Sequence, residues 1–536
     1  MPKGLVNMRF VVTCIIFYML TFPLVAQTVT EKPRLIVGIM VDGLRQEHID
    51  ELWNYFDSNG LKTLTKEGAR FDNMRYDIVP AGMASDVATV MTGTTPTFHG
   101  ITGNHFYNRK TNQIESIIED ENQIGIGTDY NYSAHKLLSS TISDEIKLAQ
   151  PSLSRVYAVA IEPHAAIMMG GHTASSVAWI DNVFFKWVST GYYTDGLASS
   201  ADEMNMDDTF ETMVNKKWQP LYPTNSYLWN FDGKKAITYT PTDKEKEGTS
   251  RCIIRNTPIA NTLVTELGVK LIKKEKLGTN STPDMLMLQY TLRVPNEQYT
   301  TIKSLEKEDM YLRLDKDIKY LLKTIKDEVG LKNTLIFLFA NKTGSHTPIE
   351  LGNNKIPAGY FNASRSMALL NTYLMALYGQ EKWVDGYYGK NIMLNRRKIE
   401  EKRIDINEIQ QIVANFMLEF EGIRIAYTAA QIQSMPFSHD LEANNIRNSY
   451  HKNTGGDVVI SLLPGWLEVG NNNMAVGEMS SFNSNIPFYM YGWNIPPKTI
   501  KTSYYITDIA PTISSILNIP YPNACIGKPI EEIIKQ

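Results

Sequence analysis

Cysteine is nearly absent, with three in 536 residues: Cys14, Cys252 and Cys525. That scarcity excludes a scaffold built on disulfides and any Cys-rich metal centre. Beyond the N-terminal segment the chain also lacks apolar runs long enough to cross a membrane. Neither charge sign dominates, since 53 Lys and Arg stand against 57 Asp and Glu for a formal net charge of -4. With no clustered basic surface, the sequence does not point to nucleic acid. No internal repeat is visible, which sets aside solenoids and propellers. The short runs of like charge read as solvated faces.

What remains is an ordinary globular composition, 43% hydrophobic and 21% charged, in a chain long enough for a large core with insertions. Residues 1–26 have the layout of a secretory signal peptide. Lys3 and Arg9 form a basic start, an apolar run begins at Phe10, and a Pro23 break precedes Leu-Val-Ala with Gln27 beyond. An uncleaved anchor is the alternative, though the run is short for a span, and Cys14 lacks a lipobox context. The expectation is therefore an exported protein, 27–536, with no membrane span after processing. It would be periplasmic, associated with the outer membrane, or extracellular. An oxidising compartment would permit a Cys252–Cys525 disulfide, but two separate thiols is the reading adopted.

Six apolar runs read as buried strands: 33–45, 154–163, 283–292, 333–344, 457–466 and 485–493. Helical patterns lie between several of them, notably 304–329 with Tyr311, Leu314, Ile318, Leu321 and Leu322 at helical spacing. Alternation of this kind predicts an α/β doubly wound, mostly parallel central sheet with helices on both faces. Charged, loop-rich stretches near 200–280 and 345–455 read as insertions capping that sheet. Polar residues just past the carboxyl ends of the strands would gather at one site.

The stretch IVPAGMASDVATVMTGTTPTFHGITGNHFY, 78–107, has the frame of such a site without its reactive residue. A turn leads into a helix whose N-terminus could favour an anion. Yet the first residue past the turn is Met83, a thioether that neither attacks phosphorus nor binds a hard metal.

Together, VGIMVDGLR, MTGTTPTFHGITGN, GGHTASSVAWID, NKIPAGYF and the C-terminal YYITDIAPTISSILNIPYPNACIGKPI resemble the alkaline phosphatase superfamily. The likeness is to its phosphate-irrepressible alkaline phosphatases and nucleotide pyrophosphatase/phosphodiesterase-like members, and it covers nearly the whole chain after residue 26. The resemblance implies two adjacent zinc ions, each held by about three Asp or His ligands, and a Thr or Ser nucleophile between them. Asp42 matches the strand-end metal ligand and Asn104 the phosphate-contacting Asn. The other positions depart from the pattern. Met83 stands for the nucleophile. QYTLRVPNEQY (289–299) replaces an Asp-x-x-Gly-His-like pattern. Asn341 and Lys342 replace Asp-His, Asn483-Ser484-Asn485 replaces Asp-Thr-His, and Glu162-Pro163-His164 replaces a phosphate-binding Lys-x-Arg.

Lys342 would put a cation where zinc sits, and Asp42 is expected to become a hydrogen-bonded strand-end residue facing it. Glu162 would repel phosphate. Nearby groups could in principle rebuild a site, but each has a simpler use. Asp86 suits a helix start, His99 a structural turn, His164 a surface or hydrogen-bonded position, and His346 is not expected to ligate. The aromatic stretch 181–193 reads equally as core packing or as a partner surface. The expectation is an exported pseudophosphatase, without catalytic residues or bound metal, serving as a binding or assembly component of a cell-envelope complex. The alternative is a phosphomonoesterase or phosphodiesterase with a remodelled site, zinc being its cofactor only in that case. A ligand sensor using the old cleft is a thinner option.

Overall fold

The computed structural model describes residues 32–150, 153–193, 195–207, 209–214, 216–237, 252–295, 302–341, 347–470 and 485–534. The expected signal peptide, Lys342, His346 and Asn483 lie outside these residues, as does the side chain of Cys252. From Pro33 onward the chain belongs to one compact unit.

The elements that build the centre are, in chain order, β1 (Leu35–Asp42), β2 (Ala69–Arg75), α1 (Met83–Thr92), β3 (Val156–Ala160), α2 (Pro163–Gly170), β4 (Ser176–Ile180), α3 (Pro258–Lys274), β5 (Asp284–Thr291), α4 (Leu305–Glu328), β6 (Thr334–Ala340), β7 (Val458–Leu462), β8 (Asn485–Gly492) and α5 (Ile509–Leu517). The central sheet has eleven strands. Its order runs Lys498–Ile500, β2, β8, β6, β1, β5, β3, β4, Trp187–Thr190 and Gly125–Ile126, with Tyr504–Tyr505 also on β2. β6, β1, β5, β3 and β4 pair in parallel, whereas β8 runs antiparallel to both β6 and β2.

Every residue of β1 is buried, as expected of a strand covered on both faces. Gly38 is required by close packing: a Cβ there would lie 2.3 Å from Met287 Sδ and 2.6 Å from Phe337 Cζ on the flanking strands. Two helical layers cover the sheet. α1, α2, α5 and Ile142–Ala149 pack among themselves on one side, and Leu61–Glu67, α3 and α4 on the other. The α/β architecture read from the sequence is thus the observed one.

Two strand assignments change in position. The run at 457–466 forms β7, which belongs to a separate antiparallel sheet ordered Val384–Tyr388, Asn391–Leu394, β7, Ile423–Thr428. Its residues alternate between buried and half-buried, the mark of a sheet covered on one face, unlike the uniform burial of β1. β2 was not among the six apolar runs, because Arg70, Asp72, Asn73 and Arg75 break its hydrophobic pattern.

The second sheet has its own core, from Phe361, Leu370, Leu374 and Trp383 through Ile409 and Val413 to Leu462. That core overlaps the 345–455 stretch and runs past its end. In the 200–280 stretch, α3 buries Leu263, Val264, Leu267 and Leu271 and packs on β5 and α4, so it belongs to a covering layer.

Candidate functional site

Strand direction and register collect the polar residues at one edge of the sheet. Val41 pairs with Ala340 and with Tyr290, so Asp42, Asn341 and Thr291 emerge side by side from β1, β6 and β5. β8 starts at the same edge because it is antiparallel, and its Asn485 stands opposite Arg75 at the end of β2. Glu162 follows β3 and is the N-cap residue of α2.

Asp42 is 2% exposed and takes its counter-charge from Arg293, with Nε 2.6 Å from Oδ2 and Nη2 3.5 Å from Oδ1. The sequence reading set Lys342, which lies outside the described residues, against Asp42; among the described residues the counter-ion is Arg293, two residues past β5. The Arg293 backbone N–H donates to Thr291 Oγ1 at 3.0 Å. Asn261 of α3 holds the Thr291 peptide by accepting from its N–H (2.9 Å) and donating to its C=O (2.7 Å). The guanidinium therefore leaves a braced strand end. Sequence reasoning missed it, although Arg293 is the one charged residue of QYTLRV, where the family pattern calls for a metal ligand. Beside Asp42, Asn341 is 4% exposed and its Oδ1 has no hydrogen-bond partner among the described residues.

Met83 is the first residue of α1 and is buried. The preceding Gly82 has φ 134°, a conformation that favours glycine. This turn directs the Ala84 N–H at Asn104 Oδ1, 2.8 Å away. Asn104, read as a former phosphate contact, here caps the helix that would have faced phosphate. Asp86 accepts from Tyr76 Oη at 3.2 Å.

After α1, at the end of the short helix Pro96–His99, the His99 Nδ1 accepts from the Ile101 N–H at 3.1 Å, which leaves the ring proton on Nε2 to donate to Thr89 Oγ1 of α1 at 3.0 Å. Thr89 in turn donates to the Ser85 carbonyl at 2.8 Å. Burial, with nearby His451 adding to it, pushes the His99 pKa down to about 3, so the ring is neutral and structural.

Glu162 carries its own counter-ion: Arg255 Nη2 lies 2.5 Å from Oε2 and also donates to the Ile161 carbonyl at 2.9 Å. Gln289 Oε1 accepts from the N–H groups of Ile161 (2.8 Å) and Glu162 (3.1 Å). His164 places Nε2 3.1 Å from the Asn104 carbonyl and 3.2 Å from Ser116 Oγ. Its ring centroid is 5.7 Å from that of His105. Burial first, then His105, lowers the His164 pKa to about 4, and burial lowers that of His105 as well. Asn485 Oδ1 accepts from Arg75 Nε at 3.1 Å.

The donor set can be tested against the zinc pair that the resemblance implies. Zinc is retained by several Asp, His or Cys groups at once. Among the described residues no three such side chains form a cluster able to hold a metal ion. The one matching carboxylate is engaged by a guanidinium. The described residues of this edge do not fit the metal pair; what they offer is hydrogen bonding and charge, and Met83 supplies no nucleophile. Cys525 keeps a free thiol whose pKa burial raises to about 11. Val183 and Phe184 are about half exposed, while Phe185, Trp187 and Tyr193 are buried.

Comparison with known proteins places this frame. The chain is 29% identical to a calcium-transporting ATPase of Myroides odoratus, covering 96% of this chain and 97% of that one. It is 26% identical to the alkaline phosphatase PafA of Elizabethkingia meningoseptica (94% and 95% covered). To the alkaline phosphatase PhoV of Synechococcus elongatus it is 27% identical (95% and 94%). The crystal structure of wild-type PafA superposes with a TM-score of 0.85, covering 94% of this chain and 99% of that one. The family model for type I phosphodiesterase / nucleotide pyrophosphatase matches residues 36–487. The chain therefore belongs to the type I phosphodiesterase / nucleotide pyrophosphatase family, within the alkaline phosphatase superfamily.

Proposed function

We propose that this protein is an exported, non-catalytic member of its family, a pseudophosphatase that acts through protein contacts as a binding or assembly component of a cell-envelope complex. The observation that carries this reading is the internal neutralisation of the cleft. Arg293 takes Asp42, Arg255 takes Glu162, and Asn104 caps the helix that begins at Met83. Asp42 and Asn104, which match the family's metal ligand and phosphate contact, are so engaged, and Arg255 offsets the acid that stands where a phosphate-binding cation would. Export rests on the 1–26 segment, and the absence of a spanning helix among the described residues is compatible with it. No cofactor is needed in this role.

A second reading, a metal-dependent phosphomonoesterase or phosphodiesterase with a remodelled site, is favoured by relatives that are alkaline phosphatases over nearly their full length. The deciding experiment is metal analysis of protein purified without chelator, run beside hydrolysis of a generic phosphate monoester and diester. Neither metal nor turnover is expected, and co-purified envelope proteins are. Stoichiometric metal with turnover would overturn the proposal in favour of the enzyme.

A further inference from the structure

The sheet edge still has to balance a buried carboxylate, and its partner suggests how. Asp42 is 2% exposed, at the end of a strand flanked on both sides. A carboxylate so placed needs a cation or several donors. We infer that Arg293 is a tethered counter-cation that takes over the charge-balancing role of a metal at this edge, so that the wild-type fold neither needs nor accepts a divalent ion there.

Three observations carry the inference beyond the scaffold reading. The guanidinium meets Asp42 through two nitrogens, at 2.6 and 3.5 Å. Its backbone is fixed by Thr291 and Asn261 rather than left in a free loop. One residue past β6, beside the end of β1 that carries Asp42, the buried Asn341 Oδ1 has no hydrogen-bond partner among the described residues. An acidic oxygen and a neutral one side by side form the start of a hard-cation site. With Arg293 in place, that start goes no further, because a second positive charge would meet the guanidinium. Arginine suits the role because it stays charged at any relevant pH and its fork matches a carboxylate.

The inference separates charge from contact, and thermal unfolding with native mass spectrometry tests it. The wild type is expected to keep its Tm in EDTA and in millimolar magnesium chloride, against sodium chloride of equal ionic strength, and to carry no metal after incubation with zinc. Arg293→Ala should lower Tm by roughly 3–5 °C, the scale of leaving a buried carboxylate without its partner in a chain of this length. Millimolar magnesium should recover part of that loss. The double variant Asp42→Asn/Arg293→Leu, which removes charge and counter-charge together, should fold near the wild-type Tm and ignore magnesium.

Metal uptake by the wild type overturns the inference, and so does an Arg293→Ala protein as stable as the wild type. A single variant that magnesium leaves unchanged also overturns it, by showing that Asp42 needs the hydrogen bonds and not the charge. Should Arg293→Ala fail to fold, the double variant decides: recovery supports the inference and equal failure refutes it. Turnover by metal-free wild type would strike the scaffold reading alone. Metal without turnover would strike this inference alone.

Discussion

At the N-terminus of α1 a few atoms separate a reactive site from a capped helix. Gly82 sits at φ 134°, and a Cβ there would come within 2.9 Å of Asn104 Oδ1. Gly82→Ala should therefore strain the turn and displace the cap, at a cost of about 1–3 kcal/mol. Urea unfolding would read this as a lower midpoint with an unchanged m-value. Restoring a hydroxyl is a different matter. Met83→Thr puts a potential nucleophile at the helix start, yet Asp42 stays paired and no zinc ligand set stands behind it among the described residues. The variant should gain no measurable phosphatase activity with or without added zinc, and should lose about 1–2 kcal/mol of burial. Turnover in that variant would contradict the reading of the site as more than one residue short. The identity of Met83 could be read in the chain. Its burial and the turning of Asn104 onto Ala84 could not, because they depend on a contact 20 residues away.

At the level of elements, one carboxylate ties the second sheet to a neighbouring hairpin, His105–Asn108 with Gln113–Ser116. Asp457, just before β7, is fully buried. Its Oδ2 accepts from Arg109 Nη2 and the Leu394 N–H, both at 2.8 Å. Its Oδ1 accepts from Arg396 Nε at 2.8 Å and Gln410 Nε2 at 3.2 Å. Arg109 comes from the turn of that hairpin, outside the second core, so this network fastens the second sheet to the hairpin. Asp457→Ala would leave two guanidiniums facing an apolar gap, at a cost of about 3–5 kcal/mol. Hydrogen exchange should then rise across 384–462 while β1 and β5 remain protected. Equal loosening of both sheets would show that the network serves the whole fold. The apolar run of β7 was visible in the chain, and its membership of the second sheet was not. Period and composition report burial; they do not say which sheet provides it.

For the whole molecule, the pairing of α3 with α4 sets a pH dependence. Asp317 of α4 is buried, with Thr262 Oγ1 3.3 Å from Oδ2. Burial, with Glu266 adding to it and Arg313 opposing, raises its pKa to about 8. The folded chain thus holds a proton that the unfolded chain releases near pH 4. From there to about pH 8 stability should fall with rising pH, by at most about 1.4 kcal/mol per unit from this group, and level off above. Asp317→Asn should remove that slope and be the more stable form at pH 8, as denaturant titrations across pH would show.

On this scale the chain's own text carried much of the outcome. The apolar runs dictated strands and the spacing 311–322 a helix, since those are matters of local chemistry, and the residues at 83 and 341 carry the proposal that the metal and nucleophile set is lost. What only folding could decide is who answers the stranded charges. Asp42 and Arg293 lie 251 residues apart and meet because β1 and β5 pair in register, and no local pattern encodes a register between distant strands.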